Sequence, residues 1–246
     1  MRILAIESSA LVASVAIIEE DEKKNVKTLA EYTINYKKTH SQTLLPMLDE
    51  IVKMTEFDMD SLDAIAVAGG PGSFTGLRIG SATAKGLGLA LKKPLINVPT
   101  LEGLAYNLCY TTKLVCPIMD ARRNQVYAGI YRFDDEKIQV VEDQMAIGID
   151  ELAAKLKEYN EPIIFLGDGV PVFKEKLQNE LLADRDITFA PAHMLYQSAA
   201  SVGTLAMEYF KQGRIETAAE HKPDYLRVSQ AERERAERIK NQGGEV

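Results

Sequence analysis

The chain has 246 residues, 46% of them hydrophobic, and its 29 basic and 36 acidic residues give a formal net charge of -7. A phosphate backbone is bound chiefly through Lys and Arg, so this charge disfavours a protein that binds tRNA on its own. The two cysteines, Cys109 and Cys116, lack metal-ligand or redox spacing, and no apolar stretch approaches the roughly 20 residues of a membrane span. We therefore expect a cytoplasmic protein with one large or two modest domains and no membrane segment.

The first half of the chain alternates strands and helices. An opening hairpin is predicted over 2–18 and a third strand over 29–36. A helix that starts near Thr43, with Pro46 early enough to cost little, follows. Its wide apolar face consists of Leu44, Leu48, Ile51 and Val52. The next predicted elements are a buried strand over 64–68, a glycine turn, a helix over 74–91, a strand over 95–98 and a helix over 101–109.

The same pattern starts again in the second half. In each half a strand ends in an acidic residue, Glu7 or Asp120, and a short polar corner leads into a second strand. The strand over 163–166 ends in glycines, as the strand over 64–68 does. Further helices are predicted over 149–159, 170–182 and 197–212, and the charged stretch 232–238 indicates a solvated tail. These repeats predict an internal duplication in a mixed α/β chain.

The segment from Gly69 to Gly80 places a glycine turn between a buried strand and a helix. Backbone N–H groups in such a turn can receive a phosphate, and Gly70, Gly72 and Ser73 are the candidates. The alternative is a purely structural turn in which Ser73 or Thr75 caps the helix. A P-loop is excluded because no Gly-Lys-Ser/Thr triplet follows, and the glycine spacing fits a dinucleotide fingerprint poorly.

The helix after this turn is rich in small residues. One row recurs at every fourth position and consists of Gly76, Gly80, Ala84 and Gly88. An adjoining row consists of Ala82, Gly86 and Ala90. Each interior glycine costs a helix up to about 1 kcal/mol relative to alanine, so the pattern indicates that something approaches this helix closely. The chain's own sheet, a partner helix and a ligand all stay open.

Candidate catalytic groups are sparse. The three histidines are too scattered for a local metal motif: His40, His193 and His221. His40 is expected to cap the helix that follows it. Glu7, Asp120 and Asp168 end predicted strands and could hold magnesium or act as bases, but a single carboxylate at a turn is more often a cap. We therefore assign no catalytic residue, no metal ligand and no cofactor.

Three segments strongly resemble the TsaB family in residues, order and spacing: 3–9, 40–46 and 70–80. The resemblance extends to about Arg227. It implies an actin/hexokinase/Hsp70-like (ASKHA) fold, in which a ribonuclease H-like unit is duplicated into two lobes. Residues 1–108, completed by a helix over 195–212, would form the first lobe, 109–194 the smaller second lobe and 228–246 a charged tail.

The resemblance also implies a non-catalytic scaffold or activating subunit. The family works with a catalytic paralogue, TsaD, and an ATPase, TsaE, which together transfer a threonylcarbamoyl group from its adenylate to N6 of the adenosine beside the tRNA anticodon. In TsaD-like proteins two metal-binding histidines stand four residues apart. Thr100 and Leu104 occupy the matching positions here, and a leucine cannot ligate a metal. Neither transferase nor peptidase activity is therefore expected.

The resemblance places the partner contact on the helices of the first lobe, so tRNA would be reached only through the complex. The predicted contact surface has two parts. One is the apolar face of the first long helix, and the other is the row of small residues on the second: Leu44, Leu48, Ile51 and Val52, and Gly76, Gly80, Ala84 and Gly88. The same surface predicts a homodimer when the chain is alone. A bulky residue at Gly80 or Ala84 is expected to abolish co-purification with the TsaD partner without unfolding the chain. The rival interpretations are an ATP-dependent small-molecule kinase on the same fold and, third, a metallopeptidase.

Overall fold

A computed structural model describes residues 1–227 of the chain, and the charged tail predicted over 228–246 lies outside the described residues. The elements of the first half, in chain order, are β1 (Arg2–Glu7), β2 (Val12–Glu20), β3 (Val26–Asn35), α1 (His40–Thr55), β4 (Ala64–Gly70), α2 (Phe74–Leu91), β5 (Leu95–Pro99) and α3 (Thr100–Ala105). Those of the second half are β6 (Leu114–Asp120), β7 (Gln125–Asp134), β8 (Lys137–Gly148), α4 (Ile149–Leu156), β9 (Ile163–Leu166), α5 (Val170–Lys176), β10 (Ile187–Phe189) and α6 (Ala199–Lys211). A π-helical turn over Leu177–Leu181 extends α5.

The strands form two five-stranded sheets with the same topology. The first sheet has the order β3-β2-β1-β4-β5, and the second has the order β8-β7-β6-β9-β10. In both, the first strand of the lobe pairs antiparallel with the second and parallel with the fourth. This correspondence confirms the predicted duplication and the two-lobed α/β fold.

The first sheet is covered by helices on both faces. Successive side chains of β1 alternate between the two layers, as the two-residue period of a strand requires. Leu4 and Ile6 pack in the core beneath α1 and α2, whereas Ile3 and Ala5 pack with α6. The helix predicted over 197–212 therefore returns from the end of the second half to the first sheet. The core of the second sheet includes residues of α4 and α5.

The short helix α3 joins the two lobes. Its residues Leu101 and Leu104 are buried in an apolar cluster with Val115, Tyr131 and Leu166 of the second lobe. We call this cluster the interlobe seam. Burial of such aliphatic and aromatic side chains stabilises the contact between the lobes.

The predicted elements differ from the structure at a few places. Helix α1 begins at His40 rather than near Thr43, so Pro46 lies inside the helix, where its missing N–H removes one backbone hydrogen bond. The bounds predicted for α2 are confirmed. Strands β8 and β10 were not predicted. Apolar and polar residues alternate only weakly along β8, and in the structure this strand pairs with β7 through register shifts. Within residues 1–227, no helix has both the length and the apolar character needed to cross a bilayer.

Candidate functional site

The three segments that carry the family resemblance meet at the turn after β1. The Ser73 N–H, just before α2, donates to the Ser9 carbonyl oxygen at 2.6 Å. At the start of α1, His40 Nε2 lies 2.7 Å from the Ala10 carbonyl oxygen. The N-terminal ends of both long helices are therefore fixed to one turn. The expectation that His40 caps α1 is wrong, because the N-cap residue is Thr39 and no side-chain capping bond is present there.

The glycine row of α2 faces this turn and the first sheet. A Cβ atom at Gly76 would overlap the Ser8 carbonyl oxygen, and one at Gly80 would overlap Ser8 Oγ. Ala84 is fully buried, and a Cβ atom at Gly88 would lie 2.9 Å from Leu95 Cδ2. Of the three neighbours that the sequence leaves open, the chain's own sheet is the one that packs against this row, together with the turn that follows β1.

The apolar face of α1 is also used within the lobe. Leu44, Leu48 and Ile51 are only 1%, 6% and 5% exposed, and they share a core with Leu4 and Ile6 of β1. Val52, the fourth residue of that face, is half-buried against the same core. The prediction that this face forms an open partner surface is therefore wrong.

The corrected role of the glycine row changes the expected effect of mutation. Because Gly80 and Ala84 pack inward, a bulky residue at either position would collide with the first lobe itself. The expectation that such a variant stays folded is contradicted by this packing. A partner contact on these helices would therefore have to use residues that face outward.

The other row of small residues lies on the solvent side of α2. Ala82, Gly86, Leu89 and Ala90 are exposed, and we call them the outer face of α2. A Cβ atom at Gly86 would meet no atom within 4 Å, and Leu89 is 69% exposed. Contacts within the described part of the chain thus give no reason for glycine at position 86.

A cleft of about 630 Å³ separates the lobes beside the turn after β1. The first lobe lines it with this turn and the starts of α1 and α2, and the second lobe lines it with Asp120, Arg122 and Asp168 among others. Its lining combines backbone, hydroxyl and charged groups with apolar side chains such as Ile79 and Met119. The cleft is the place where a duplicated fold of this kind could hold a polar ligand.

The glycine turn at the cleft is already engaged within the chain. The Gly70 N–H donates to Thr100 Oγ1 at 3.1 Å, and the Ser73 N–H is bonded to Ser9. Ser73 Oγ accepts the Gly76 N–H at 3.3 Å and so caps α2. A Cβ atom at Gly72 would overlap the Ser9 carbonyl oxygen. These contacts support the structural interpretation of the turn, and phosphate binding by Gly70, Gly72 and Ser73 stays a prediction.

The three carboxylates at the strand ends have different surroundings. Burial raises the pKa of Glu7 from 4.5 to about 7, although the Ser9 N–H donates to its Oε1 at 2.6 Å. Burial likewise raises the pKa of Asp168 from 3.8 to about 6. Asp120 instead pairs with Arg122 at 3.2 Å. Among residues 1–227, no three His, Cys, Asp or Glu side chains are grouped so that they could hold a metal ion.

The positions matched to metal-binding histidines have structural roles here. Thr100 is fully buried, and its hydroxyl accepts the Gly70 N–H. Leu104 is 1% exposed and belongs to the interlobe seam. Of the three histidines, His40 lies at the cleft, His221 is buried beside Glu216 and His193 is exposed. The structure therefore does not bring the histidines together.

Two sheets of identical topology, joined by α3 and by the return of α6 to the first sheet, define an actin/hexokinase/Hsp70-like protein of two lobes. Residues 27–235 match the family model described as TsaD, tRNA N6-adenosine threonylcarbamoyltransferase. The tRNA threonylcarbamoyladenosine biosynthesis protein TsaB of Bacillus subtilis is 36% identical over 235 residues, covering 94% of this chain and 96% of that protein. The chain therefore belongs to the TsaB branch of the family that this model describes.

Other relatives agree with this placement. TsaB of Escherichia coli is 28% identical over 231 residues, covering 92% of this chain and 95% of that protein. The solved structure of YeaZ from Pseudomonas aeruginosa superposes with a TM-score of 0.75 at 24% identity, covering 92% of this chain and 100% of that one. The structural likeness shows that the fold is shared along nearly the whole length of both chains.

Proposed function

We propose that this chain takes part in the biosynthesis of threonylcarbamoyladenosine in tRNA as a non-catalytic accessory subunit. Its membership of the TsaB family supports the process, since the relatives in Bacillus subtilis and Escherichia coli are named for it. In this proposal a TsaD-like paralogue carries the catalytic centre, a TsaE-like ATPase completes the machinery, and tRNA is bound through the complex. The net charge of -7 supports the last point, because a phosphate backbone is bound chiefly through Lys and Arg and the acidic residues of this chain outnumber them.

The main support for a non-catalytic role comes from the side chains at positions 100 and 104. Metal-binding histidines would be needed there for the chemistry of the TsaD-like relatives. The Thr100 hydroxyl is instead bonded to the Gly70 N–H, and Leu104 packs in the interlobe seam. A buried aliphatic side chain offers no donor to a metal, and the threonine is committed to holding the glycine turn. We infer that these positions stabilise the fold rather than perform transfer.

The outer face of α2 is the proposed contact with the TsaD-like paralogue. An exposed glycine inside a helix costs up to about 1 kcal/mol relative to alanine, and nothing within the described chain requires it at position 86. A surface without large side chains lets another helix pack at short range, and Leu89 adds an exposed apolar side chain beside it. The same face could pair two copies of the chain, so we expect a homodimer when the partner is missing.

Co-purification with the TsaD-like paralogue tests this contact. Gly86→Leu should reduce the recovered partner at least tenfold, since the new side chain separates the two helices, while the melting temperature stays near that of the parent. Glu151→Leu, on an exposed position of α4 in the second lobe, adds the same side chain elsewhere and should leave recovery unchanged. Full recovery of the partner by the Gly86 variant would refute the contact face.

Reconstitution of tRNA modification tests the accessory role. The isolated chain should form no threonylcarbamoyladenosine, and its addition to the TsaD-like and TsaE-like proteins should raise the yield at least tenfold. Transfer by the chain alone would show that it is catalytic. A yield that does not depend on the chain would remove the activating role.

The open cleft, with hydroxyl and charged groups in its lining, favours one alternative, an ATP-dependent kinase on the same fold. A ligand at a hundredfold excess over its dissociation constant stabilises a protein by about 2.7 kcal/mol. Millimolar ATP should therefore raise the melting temperature of a kinase by several degrees. We expect no such rise, because the N–H groups of the glycine turn at Gly70 and Ser73 are occupied.

A further inference from the structure

The segment after α6 runs along the first lobe as an added edge. The Leu95 N–H donates to the Glu216 carbonyl oxygen at 2.8 Å, and the Glu216 N–H donates back to the Leu95 carbonyl oxygen at 2.9 Å. His221 is fully buried, and its Nδ1 lies 2.6 Å from Glu216 Oε1. This segment, residues 214–227, is therefore anchored to the edge strand β5. We call it the C-terminal strap.

The strap next crosses the glycine turn that precedes α2. The Asp224 N–H donates to the Gly69 carbonyl oxygen at 2.6 Å. Gly70 has a φ of +128°, and a Cβ atom there would overlap the Asp224 carbonyl oxygen. A residue with a side chain would thus be both strained and blocked by the strap. The glycine at position 70 is explained by this crossing rather than by the cleft.

The strap also covers the first turns of α2. The Tyr225 ring lies 4.4 Å from the Phe74 ring, centre to centre, and Arg78 Nε donates to Tyr225 Oη at 3.3 Å. The Arg78 guanidinium stands 4.0 Å from the centre of the Phe74 ring. Phe74 and Arg78 belong to the segment that carries the family resemblance, yet neither is needed to cap α2. Their side chains instead form the surface on which Tyr225 of the strap packs.

Two further bonds join the strap to the second lobe. Gln144 Nε2, on β8, donates to Asp224 Oδ2 at 3.1 Å. Arg227 Nη1 donates to the carbonyl oxygen of Ala121, in the turn after β6, at 2.8 Å. Ala121 also lines the interlobe cleft. One segment fixed to the first lobe thus holds the second lobe at two separate points.

From these contacts we propose that the C-terminal strap restrains the angle between the lobes and so sets the width of the cleft. The interlobe seam around α3 is apolar and non-directional, and it permits small rotations of packed surfaces. The two hydrogen bonds of the strap are directional and lie away from the seam, at β8 and at the cleft. Rotation about the seam would lengthen both. Release of Tyr225 and Arg227 therefore frees the second lobe to turn.

Distance measurements between spin labels on the two lobes test the strap. Labels at Glu50→Cys on α1 and Glu175→Cys on α5 use exposed positions, in a chain that also carries Cys109→Ala. Tyr225→Ala combined with Arg227→Ala should broaden the distribution of label distances at least twofold. Lys222→Ala, at an exposed strap position that makes none of these bonds, should keep the parental width.

Equal widths in all the variants would overturn the proposal, and so would equal broadening by Lys222→Ala. If the double variant proves unfolded by its melting curve, Arg227→Ala alone removes just the bond to Ala121 and should still broaden the distribution. Amide exchange gives a second measure: residues 120–125 should exchange at least tenfold faster in the Arg227 variant, with exchange in β1 unchanged. Unchanged exchange at 120–125 would contradict the restraint.

Discussion

The two lobes share one strand order but differ in their helices. Helix α1 has 16 residues where its counterpart α4 has 8, and α2 has 18 where α5 has 7. Both glycine turns require a backbone conformation with positive φ, which is +128° at Gly70 and +103° at Gly167. Gly167 is approached by the Ile118 carbonyl oxygen of its own lobe, whereas Gly70 is approached by the strap.

This comparison shows what was added to the duplicated unit. The shared parts are the sheet and the turn after the parallel strand, which the topology itself demands. The first lobe alone has a long helix with small residues on two faces, one toward Ser8 and one toward solvent. A difference confined to one copy indicates a task beyond folding. The counterpart helix α5 contains neither glycine nor alanine, so the outer face of α2 has no equivalent there.

The largest effect should come from filling the inner row of α2. Gly80→Leu places a side chain against Ser8 Oγ and Val67, and overpacking of this kind costs about 1–3 kcal/mol or more. We expect a loss of at least about 3 kcal/mol in the free energy of unfolding, because the turn after β1 must move as well. Urea unfolding followed by circular dichroism measures it.

Gly86→Leu is the matched control on the opposite face of the same helix. Its side chain enters open space, and leucine is a better helix former than glycine. The free energy of unfolding should stay level or rise by up to about 1 kcal/mol. Equal losses in the two variants would mean that α2 does not distinguish an inner from an outer row.

The acidic residues at the ends of β1 and β6 provide the next contrast. Glu7 has a pKa near 7, so between about pH 4.5 and 7 the folded chain binds more protons there than the unfolded chain does. The free energy of unfolding should therefore fall as pH rises through this window. The shift corresponds to about 3 kcal/mol at pH 8, which Glu7→Gln should recover. Gln still offers an oxygen to the Ser9 N–H.

Asp120→Asn is the control in the second lobe. The guanidinium of its partner Arg122 is largely exposed to solvent, and ion pairs screened in this way contribute about 1 kcal/mol or less. Unfolding curves collected at pH 5 and pH 8 separate the two variants. A pH dependence that survives unchanged in the Glu7 variant would show that this carboxyl group does not titrate near neutrality.

The start of α2 differs from the start of α5 in having a side-chain cap. Ser73 Oγ accepts the Gly76 N–H, whereas α5 begins after Gly169 without such a bond. Removal of an N-cap hydroxyl costs typically about 1 kcal/mol. We expect Ser73→Ala to lower the free energy of unfolding by that amount, and Ser81→Ala, within the same helix, serves as a non-capping comparison. A Ser73 variant with parental stability would exclude the cap.

Local patterns predicted much of the first lobe. The glycine turn and the run of small and apolar residues predicted α2 over its observed bounds, and the strand–acid–corner–strand repeat predicted the duplication. The spacing of Gly76, Gly80, Ala84 and Gly88 likewise showed that they share one face. It could not show which neighbour meets that face, because helical periodicity fixes an angle around the axis and nothing beyond it. For this reason the sequence assigned the row to a partner helix, whereas in the structure it packs against the chain's own sheet.

The strap was not predicted, for a related reason. Residues 214–227 have no strand or helix period, and their path depends on distant partners such as Gly69, Phe74 and Ala121. Gly70 is a predicted phosphate-binding candidate and Arg78 lies within the resembling segment 70–80, but only the folded chain shows that Gly70 meets Asp224 and that Arg78 meets Tyr225. Long-range backbone contacts of this kind leave no local pattern in a single sequence.

The smallest change tests the difference between the two faces of α2 most directly. Gly86→Ala adds one methyl group where no atom lies within 4 Å, so only helix propensity should respond, with a gain of up to about 1 kcal/mol. Gly80→Ala adds the same methyl group against Ser8 Oγ and should be destabilising. Thermal unfolding of the two variants, alone and with the TsaD-like partner, compares stability with binding. If Gly86 is kept for close approach of a partner helix, the Gly86 variant should be more stable alone yet gain less on complex formation than the parent does. If the variant and the parent are stabilised equally by the partner, Gly86 lowers the stability of the chain without contributing to the contact, and the proposed contact face is contradicted.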